Sequence, residues 1–149
     1  MIVFDSSALV EMSRQTQDGM ALQRFARTDE KKISCDLVRA ELASVFRKFT
    51  RTEGLTPKEA ETYFSNAIDL VDEFSPMEEL QVEALREAIR LDHSVYDMFY
   101  FVLARRTGGC LFTLDKKLMD LCIDNGVDCV MLVDPSESEY GQMPAPARS

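Results

Sequence analysis

The sequence lacks several features that would place it in common functional classes. Its longest apolar run, Met98 to Ala104, is far shorter than the roughly 20 residues that cross a bilayer, and no basic stretch precedes an apolar one at the N-terminus. The four cysteines form no C-x-x-C pair and lie among Ile, Leu and Val, which argues against a zinc site or a disulfide framework. We therefore expect a soluble, cytoplasmic protein with free thiols and no contact with a membrane.

Positive charge is also scarce. The chain has 17 Lys and Arg against 26 Asp and Glu, which gives a formal net charge of -9 at pH 7. A composition of this kind is poor at holding polyphosphate by bulk electrostatics. Any nucleic-acid substrate would therefore need a local basic patch or a bound metal ion.

The pattern of apolar residues predicts one α/β domain. Its 149 residues are 46% hydrophobic, enough for a single core. Short strand-like runs alternate with helical periodicity, which indicates a parallel sheet with helices on both faces. The predicted strands are 2–4, 32–35, 110–113 and 129–133, and the predicted helices are 7–13, 18–28, 37–52, 57–74, 78–91, 95–107 and 116–125. We expect a domain over residues 1–134 and a flexible, proline-containing tail over 135–149.

Two carboxylates follow predicted strands. Asp5 ends the run IVFD, and Asp115 stands in TLDKKL just after the strand CLFT. Because open α/β sheets build their sites at the carboxyl ends of strands, these two acids should point to one edge of the sheet.

Two further acids lie at apolar positions of predicted helices, although a carboxylate is more stable on the solvated face of a helix. Glu41 is three residues after Val38 and four before Val45, on or beside the apolar stripe of its helix. Asp97 is the one carboxylate between Ser94 and Ala104, in a segment that is apolar nearly all round and should be buried.

Each acid also has a purely structural interpretation. Asp5 and Asp115 are good helix N-caps, and Ser94 with Asp97 has the S-x-x-D form of a capping box. Glu41 has three basic residues in reach as ion-pair partners: Arg39, Arg47 and Lys48.

A cluster of carboxylates would be unstable by itself. Like charges raise each other's pKa and repel, unless a cation lies between them. Mg²⁺ and Mn²⁺ prefer carboxylate and water oxygens, and either ion can activate a water and stabilise charge on a phosphoryl oxygen. The acids therefore favour metal-dependent hydrolysis of a phosphodiester.

The motifs FDSSALVEM, an isolated helical Glu41, SVYDMFYFVLARR and LFTLDKKL together resemble the PIN-domain ribonucleases, most closely the VapC-type toxins of toxin-antitoxin pairs. The resemblance covers residues 1 to about 133. It implies a three-layer α/β/α fold with a central parallel sheet of four to five strands, and one or two Mg²⁺ or Mn²⁺ ions at its carboxyl edge.

The resemblance also implies roles for single residues. Asp5, Asp97 and Asp115 match the metal-binding acids, and Glu41 matches the acid that orients the attacking water. Ser7 and Thr113 match the hydroxyl residues that support them, while Tyr96 and Tyr100 match packing aromatics. An RNA phosphodiester would be cut to leave a 5′-phosphate and a 3′-hydroxyl.

The same resemblance implies partners: an RNA substrate, with transfer RNA as one expected target, a cognate antitoxin that covers the acidic pocket, and a second copy in a homodimer. Helices 18–28 and 37–74 are the expected antitoxin surface. Local cations that would contact RNA are Arg14, Lys48, Arg105 and Lys116, although each also suits an ordinary solvated helix face. His93 is interpreted as a surface or capping residue.

Other classes of protein fit less well. A dehalogenase-type phosphatase needs a D-x-D pair after its first strand, but residue 7 is Ser, and a receiver domain needs adjacent acids there. The principal alternative is a non-catalytic PIN-like module that binds RNA or protein. Such modules usually lose one or more acids, whereas this chain has all four.

Overall fold

A five-stranded parallel sheet forms the centre of the protein in the computed structural model, which describes residues 1–132. Its strands are β1 (Ile2–Phe4), β2 (Lys32–Cys35), β3 (Glu73–Ser75), β4 (Cys110–Phe112) and β5 (Cys129–Val130). Their order across the sheet is β3-β2-β1-β4-β5, and every pair is parallel. The predicted α/β fold with a parallel sheet is confirmed. The predicted tail and domain boundary lie outside the described residues.

Seven α-helices connect the strands. They are α1 (Ser6–Arg14), α2 (Gln17–Phe25), α3 (Leu37–Thr52), α4 (Pro57–Asp69), α5 (Gln81–Leu91), α6 (Val95–Thr107) and α7 (Lys116–Asp124), and a 3-10 turn at Met77–Glu79 precedes α5. Helix α1 contacts α2, α3 and α4, whereas α6 contacts α5, α7 and three strands. With right-handed crossovers, these two groups cover opposite faces of the sheet.

The strand order reverses at β1. The chain passes from β1 to β2 and β3 on one side, and then returns through α5 and α6 to place β4 on the other side of β1. Crossovers on either side of such a point diverge, which leaves a crevice beyond the carboxyl ends of the two central strands. The crevice therefore opens where Asp5 and Asp115 leave β1 and β4.

The prediction of one helix over 57–74 is wrong at its C-terminal end. Helix α4 begins as predicted, with a Thr56 capping box to Glu59 and Pro57 in its first turn, but it ends at Asp69. Glu73–Ser75 then forms the edge strand β3 beside β2. A strand of three residues that begins with an exposed Glu carries too little alternation to stand out from the helical periodicity before it.

Helix α6 supplies the middle of the core. Seven consecutive residues, Met98 to Ala104, are buried, and the helix contacts β1, β2 and β4. As expected for a helix that is apolar all round, it has no solvent-facing stripe in this stretch. Within residues 1–132, no helix is both long and apolar enough to cross a membrane.

All four cysteines are free thiols, as predicted. Cys35 and Cys122 are buried and Cys110 and Cys129 are partly buried. Burial raises the pKa of Cys35 and of Cys110 to about 11 and that of Cys122 to about 12. These thiols therefore stay protonated and unreactive near neutral pH.

Close packing between α1 and α2 depends on Gly19. A Cβ atom there would lie 1.9 Å from the carbonyl oxygen of Glu11, so the two helices would have to separate. We expect Gly19→Ala to lower the free energy of unfolding by about 2 kcal/mol or more, as overpacking against a rigid backbone does. Met20→Ala, at the exposed next position, should change it by less than about 0.5 kcal/mol. Urea denaturation measures both, and equal effects would contradict the packing argument.

Candidate functional site

Asp5 lies at the centre of the site. Its side chain is 3% exposed, and it accepts three hydrogen bonds. Oδ1 accepts from the Ser7 hydroxyl at 2.7 Å and from the Ala8 amide at 2.9 Å, and Oδ2 accepts from the Thr113 hydroxyl. The bond to Ala8 caps α1, so the predicted capping role is real. A carboxylate has about four acceptor positions. Within residues 1–132, Oδ2 accepts one hydrogen bond only, so one of its acceptor positions is not used.

The two hydroxyl residues connect the ends of β1 and β4. Ser7 donates to Asp5 and accepts from the backbone amide of Leu114 at 2.9 Å. Thr113 donates to Asp5 and accepts from the amide of Asp115 at 3.0 Å. Each hydroxyl therefore donates a hydrogen bond to Asp5 and accepts one from a backbone amide of the loop after β4. The orientation of the Asp5 carboxylate is fixed from both strands.

Asp115 and Asp97 each have one carboxylate oxygen held by a neighbour. Asp115 Oδ1 accepts from the Leu118 amide at 3.2 Å and caps α7. Asp97 Oδ2 lies 2.8 Å from Nε2 of His93, one turn earlier. The S-x-x-D capping box does not form, because Ser94 makes no side-chain cap. Within residues 1–132, neither Asp97 Oδ1 nor Asp115 Oδ2 has a hydrogen-bond donor.

Glu41 is held by an aromatic hydroxyl and not by a cation. The Tyr100 hydroxyl donates to Oε1 of Glu41 across the space between α6 and α3, and Tyr100 is 1% exposed. Arg39, Arg47 and Lys48 form no ion pair with Glu41 in the part of the chain that the structure describes. The Arg39 guanidinium instead lies 4.0 Å from the Phe74 ring centroid.

The four acids are linked by electrostatic effects on their pKa values. Burial raises the pKa of Asp5 to about 6, and the charge of Asp97 adds to the rise against three hydrogen bonds. The pKa of Glu41 is raised by burial and by Asp97. The pKa of Asp97 is raised by burial and by Asp115, with His93 opposing. Asp97 is thus the common neighbour of the other three carboxylates.

The donor set suits a hard divalent cation. All the converging groups are carboxylate or hydroxyl oxygens, which Mg²⁺ and Mn²⁺ prefer, and the negative charges crowd one another. As their side chains stand, no three His, Cys, Asp or Glu residues within residues 1–132 form a ready-made ligand cluster. The chemistry of the donors fits a metal ion, and Asp97 and Asp115 each have an oxygen available to turn toward it.

The four cations predicted to contact RNA have different surroundings. Arg14 forms two hydrogen bonds of 2.9 Å to Glu53 and lies over the Phe49 ring. Arg105 pairs with Glu83 at 2.7 Å. Lys48 and Lys116 are exposed and have no ion-pair partner among the described residues. The two lysines are therefore freer to meet a phosphate than the two arginines.

Sequence reasoning missed two residues that hold the acids. Tyr100 was interpreted as packing and His93 as a surface or capping residue, yet they contact Glu41 and Asp97. His93 precedes Asp97 by four residues, the spacing of neighbours on a helix surface, so this contact had a usable signal. The contact of Tyr100 spans 59 residues of sequence and had none.

Asp5→Asn should stabilise the metal-free protein at neutral pH. Because the pKa of Asp5 is raised to about 6 in the folded protein, the folded state favours the protonated acid. The contribution of Asp5 to the free energy of unfolding is therefore complete below about pH 4 and is lost as the pH rises through about 6. Asn keeps the shape and the cap without the buried charge, so the free energy of unfolding at pH 7.5 should rise by roughly 1 to 3 kcal/mol.

Chemical denaturation in EDTA at pH 7.5 and at pH 4 measures this effect, and the gain should vanish at pH 4. Asp29→Asn, at an exposed loop position before β2, is the control and should show no such pH dependence. Destabilisation of Asp5→Asn by the same amount at both pH values would contradict a buried, crowded charge.

Tyr100→Phe should lower the free energy of unfolding by about 1 to 2 kcal/mol, because it leaves a half-buried carboxylate without its donor. Tyr63→Phe is the matched control. Its ring stacks on Phe46, and its hydroxyl makes no hydrogen bond within residues 1–132. Equal losses in the two variants, measured by urea denaturation, would show that the Tyr100 hydroxyl does not support Glu41.

Comparison with known proteins agrees with this architecture. In fold, the chain is similar to PAE2754 from Pyrobaculum aerophilum, with a TM-score of 0.62 and 21% identity over 80% of this chain and 84% of that one. It is also similar to VapC20 of Mycobacterium tuberculosis, a sarcin-ricin loop cleaving toxin, with a TM-score of 0.59 and 17% identity over 81% and 95%. Among curated protein sequences, none matches. The family model of the PIN domain matches residues 2–123, and the protein therefore belongs to the PIN domain family.

Proposed function

We propose that this protein is a metal-dependent endoribonuclease and the toxin of a toxin-antitoxin pair. The observation that carries the proposal is the meeting of four carboxylates from four separate segments at the crevice between β1 and β4. Burial raises the pKa values of three of them, and the charge of a neighbouring carboxylate adds to each rise. No Lys or Arg in the described part of the chain pairs with any of the four. A scaffold that leaves such a cluster without a Lys or Arg partner is suited to bind a cation.

The chain supplies the cation's ligands and their orientation. Asp5, Asp97 and Asp115 would hold Mg²⁺ or Mn²⁺, one or two ions. Asp97 Oδ1 and Asp115 Oδ2 have no hydrogen-bond donor within residues 1–132, and Asp5 Oδ2 accepts from Thr113 alone there. When bound, such an ion lowers the pKa of a water and offsets charge on a phosphoryl oxygen. Ser7 and Thr113 keep the Asp5 carboxylate in one orientation. Such fixed orientation lowers the cost of reorganisation during the reaction.

Glu41 has a different part in this proposal. Its Oε1 atom is held by Tyr100, and its raised pKa makes it a better proton acceptor than an ordinary surface Glu. It would orient the attacking water for in-line displacement at phosphorus. His93 keeps Asp97 in place through the 2.8 Å contact. The resemblance stated above implies a 5′-phosphate and a 3′-hydroxyl as products.

RNA is the substrate class that the family and the crevice favour. VapC20, which is similar in fold, is a toxin that cleaves the sarcin-ricin loop. For this protein we propose the same class of reaction, RNA cleavage, and transfer RNA is another candidate target. The net charge of -9 limits bulk attraction of RNA. Exposed cations, such as Lys116 directly after Asp115 and Lys48 on α3, would provide local contacts.

A cognate antitoxin and a second copy of the chain belong to the same proposal. Two helices each expose more than one large apolar side chain, Met20 and Phe25 on α2 and Val82, Leu85 and Ile89 on α5. The α2 positions fall within the predicted antitoxin surface. The α5 stripe lies outside that predicted surface and offers a second apolar face.

The proposal is tested by incubating antitoxin-free protein with total RNA in Mg²⁺, in Mn²⁺ and in EDTA. We expect cutting with either metal and none in EDTA. Asp97→Asn should lower the rate by at least about 100-fold, because replacing even an outer partner of a metal ligand costs 10- to 100-fold. Asp29→Asn, at the opposite edge of the sheet, should cut like the parent protein.

Other results would change the conclusion. Cutting that persists in EDTA or in Asp97→Asn would place the chemistry outside the acidic crevice. Absence of cutting from folded protein in both metals, together with retained RNA binding, would favour the non-catalytic binding module.

A further inference from the structure

Tyr96 has an unexpected position for a residue that was predicted to pack in the core. Its side chain is 57% exposed, although it lies directly before the half-buried Asp97 at the start of α6. Large aromatic rings are usually buried. The exposed ring beside the carboxylates has an aromatic face available to a ligand.

The ring borders a cavity of about 350 Å³ that adjoins the acids. Three of its lining residues belong to or adjoin the acid cluster: Ser6 follows Asp5, Tyr96 precedes Asp97, and Glu41 is itself one of the acids. The remaining lining comes from one side of α3, and it is mainly apolar, with Leu37, Ala40 and Val45. The cavity therefore adjoins the site of the proposed chemistry and shares Glu41 with it.

A second cavity continues the same surface. It has a volume of about 260 Å³ and shares Ser6 and Val45 with the first. Its other lining residues include Leu114, in the loop between Thr113 and Asp115. The two cavities therefore adjoin each other at Ser6 and Val45, one reaching Tyr96 and the other the loop after β4.

We infer that Tyr96 is the stacking platform of a nucleobase-binding subsite, which holds a base of single-stranded RNA next to the scissile phosphate. The inference rests on the proposed function and specifies how that site takes its substrate. It assigns to Tyr96 direct contact with the substrate, in place of the packing role predicted from the sequence.

The lining of the cavity selects a base and excludes a phosphate. No Lys, Arg or His lines it among the described residues, and Glu41 would repel an anion. A nucleobase has apolar faces and polar edges, which match an aromatic ring, an aliphatic wall and the hydroxyls of Ser6 and Ser44. Stacking on an aromatic side chain also adds affinity that the acidic protein cannot obtain from phosphate contacts.

The substrate in this cavity must be single-stranded. A base inside a duplex is stacked on both faces, whereas loops and unpaired ends can place a base against an aromatic side chain. Such stacking is tolerant of sequence, because every base has a π-face. Any sequence preference would come from the hydroxyls at the edge of the cavity.

A fluorescence experiment tests the contact without relying on cleavage. The chain has no Trp, so Tyr96→Trp introduces a single reporter. Phe25→Trp is the matched control, because Phe25 is 56% exposed but lies on α2. Both proteins carry Asp115→Asn to keep the RNA intact, and Mg²⁺ is present. A short single-stranded RNA should quench Trp at position 96 and leave Trp at position 25 unchanged, and the same RNA in a duplex should quench less.

Kinetics with the otherwise unmodified protein give a second measurement. Tyr96→Ala should raise KM for single-stranded RNA roughly tenfold to a hundredfold with kcat nearly unchanged, as expected for loss of one base stack. Tyr96→Phe keeps the ring and should stay within about twofold of the parent. Ile123→Ala, which removes an exposed apolar side chain at the far end of α7, should also match the parent.

The outcomes separate this inference from the proposed function. If the parent cuts RNA but Tyr96→Ala has an unchanged KM, the subsite is refuted and the nuclease stands. If dye-labelled RNA binds by anisotropy while Trp at position 96 is not quenched, the base lies elsewhere and a polypeptide becomes the better occupant. Quenching of Trp at position 96 together with no cutting by the parent would support the subsite and refute the nuclease. Failure of RNA to bind the Trp variants together with no cutting by the parent would refute both.

Discussion

The buried carboxylate of Asp5 is the interaction on which the site depends. A charge that is 3% exposed must be satisfied by donors, and the three that satisfy it come from α1 and from the end of β4. The need to satisfy one acid thus brings together two strands that are more than a hundred residues apart in the chain. The loop that carries Asp115 is held in position by the same hydroxyls.

Capping and ligand binding are compatible in this arrangement. Asp5 and Asp115 each cap a helix through Oδ1. The Oδ2 atom takes no part in either cap, so it can serve as a metal ligand. The cap fixes the side-chain rotamer, and a fixed rotamer is what a preorganised metal ligand requires. The charge repulsion that remains is the cost of keeping the four acids together, and helix caps and hydroxyl donors offset part of it.

The sequence was sufficient for features that depend on local pattern. Strand ends located Asp5 and Asp115, and apolar surroundings marked Glu41 and Asp97 as unusual. Features that depend on which sides of two helices meet were not predictable. Helix α6 is apolar all round, so its pattern does not say that Tyr100 faces α3 while Tyr96 faces solvent. Likewise, Arg14 and Glu53 pair across 39 residues, and β3 is too short to be recognised.

The position of β4 in the sheet has a consequence for biosynthesis. This strand pairs with β1, the first strand of the chain, and carries Thr113 and Asp115 to the site. Until the segment around residue 115 has left the ribosome, Asp5 has no hydrogen bond from Thr113, and the crevice lacks the side that β4 forms. A chain broken off before β4 cannot assemble the four acids. Under the proposed function, a growing chain cannot cut RNA until β4 and the residues that follow it have been synthesised.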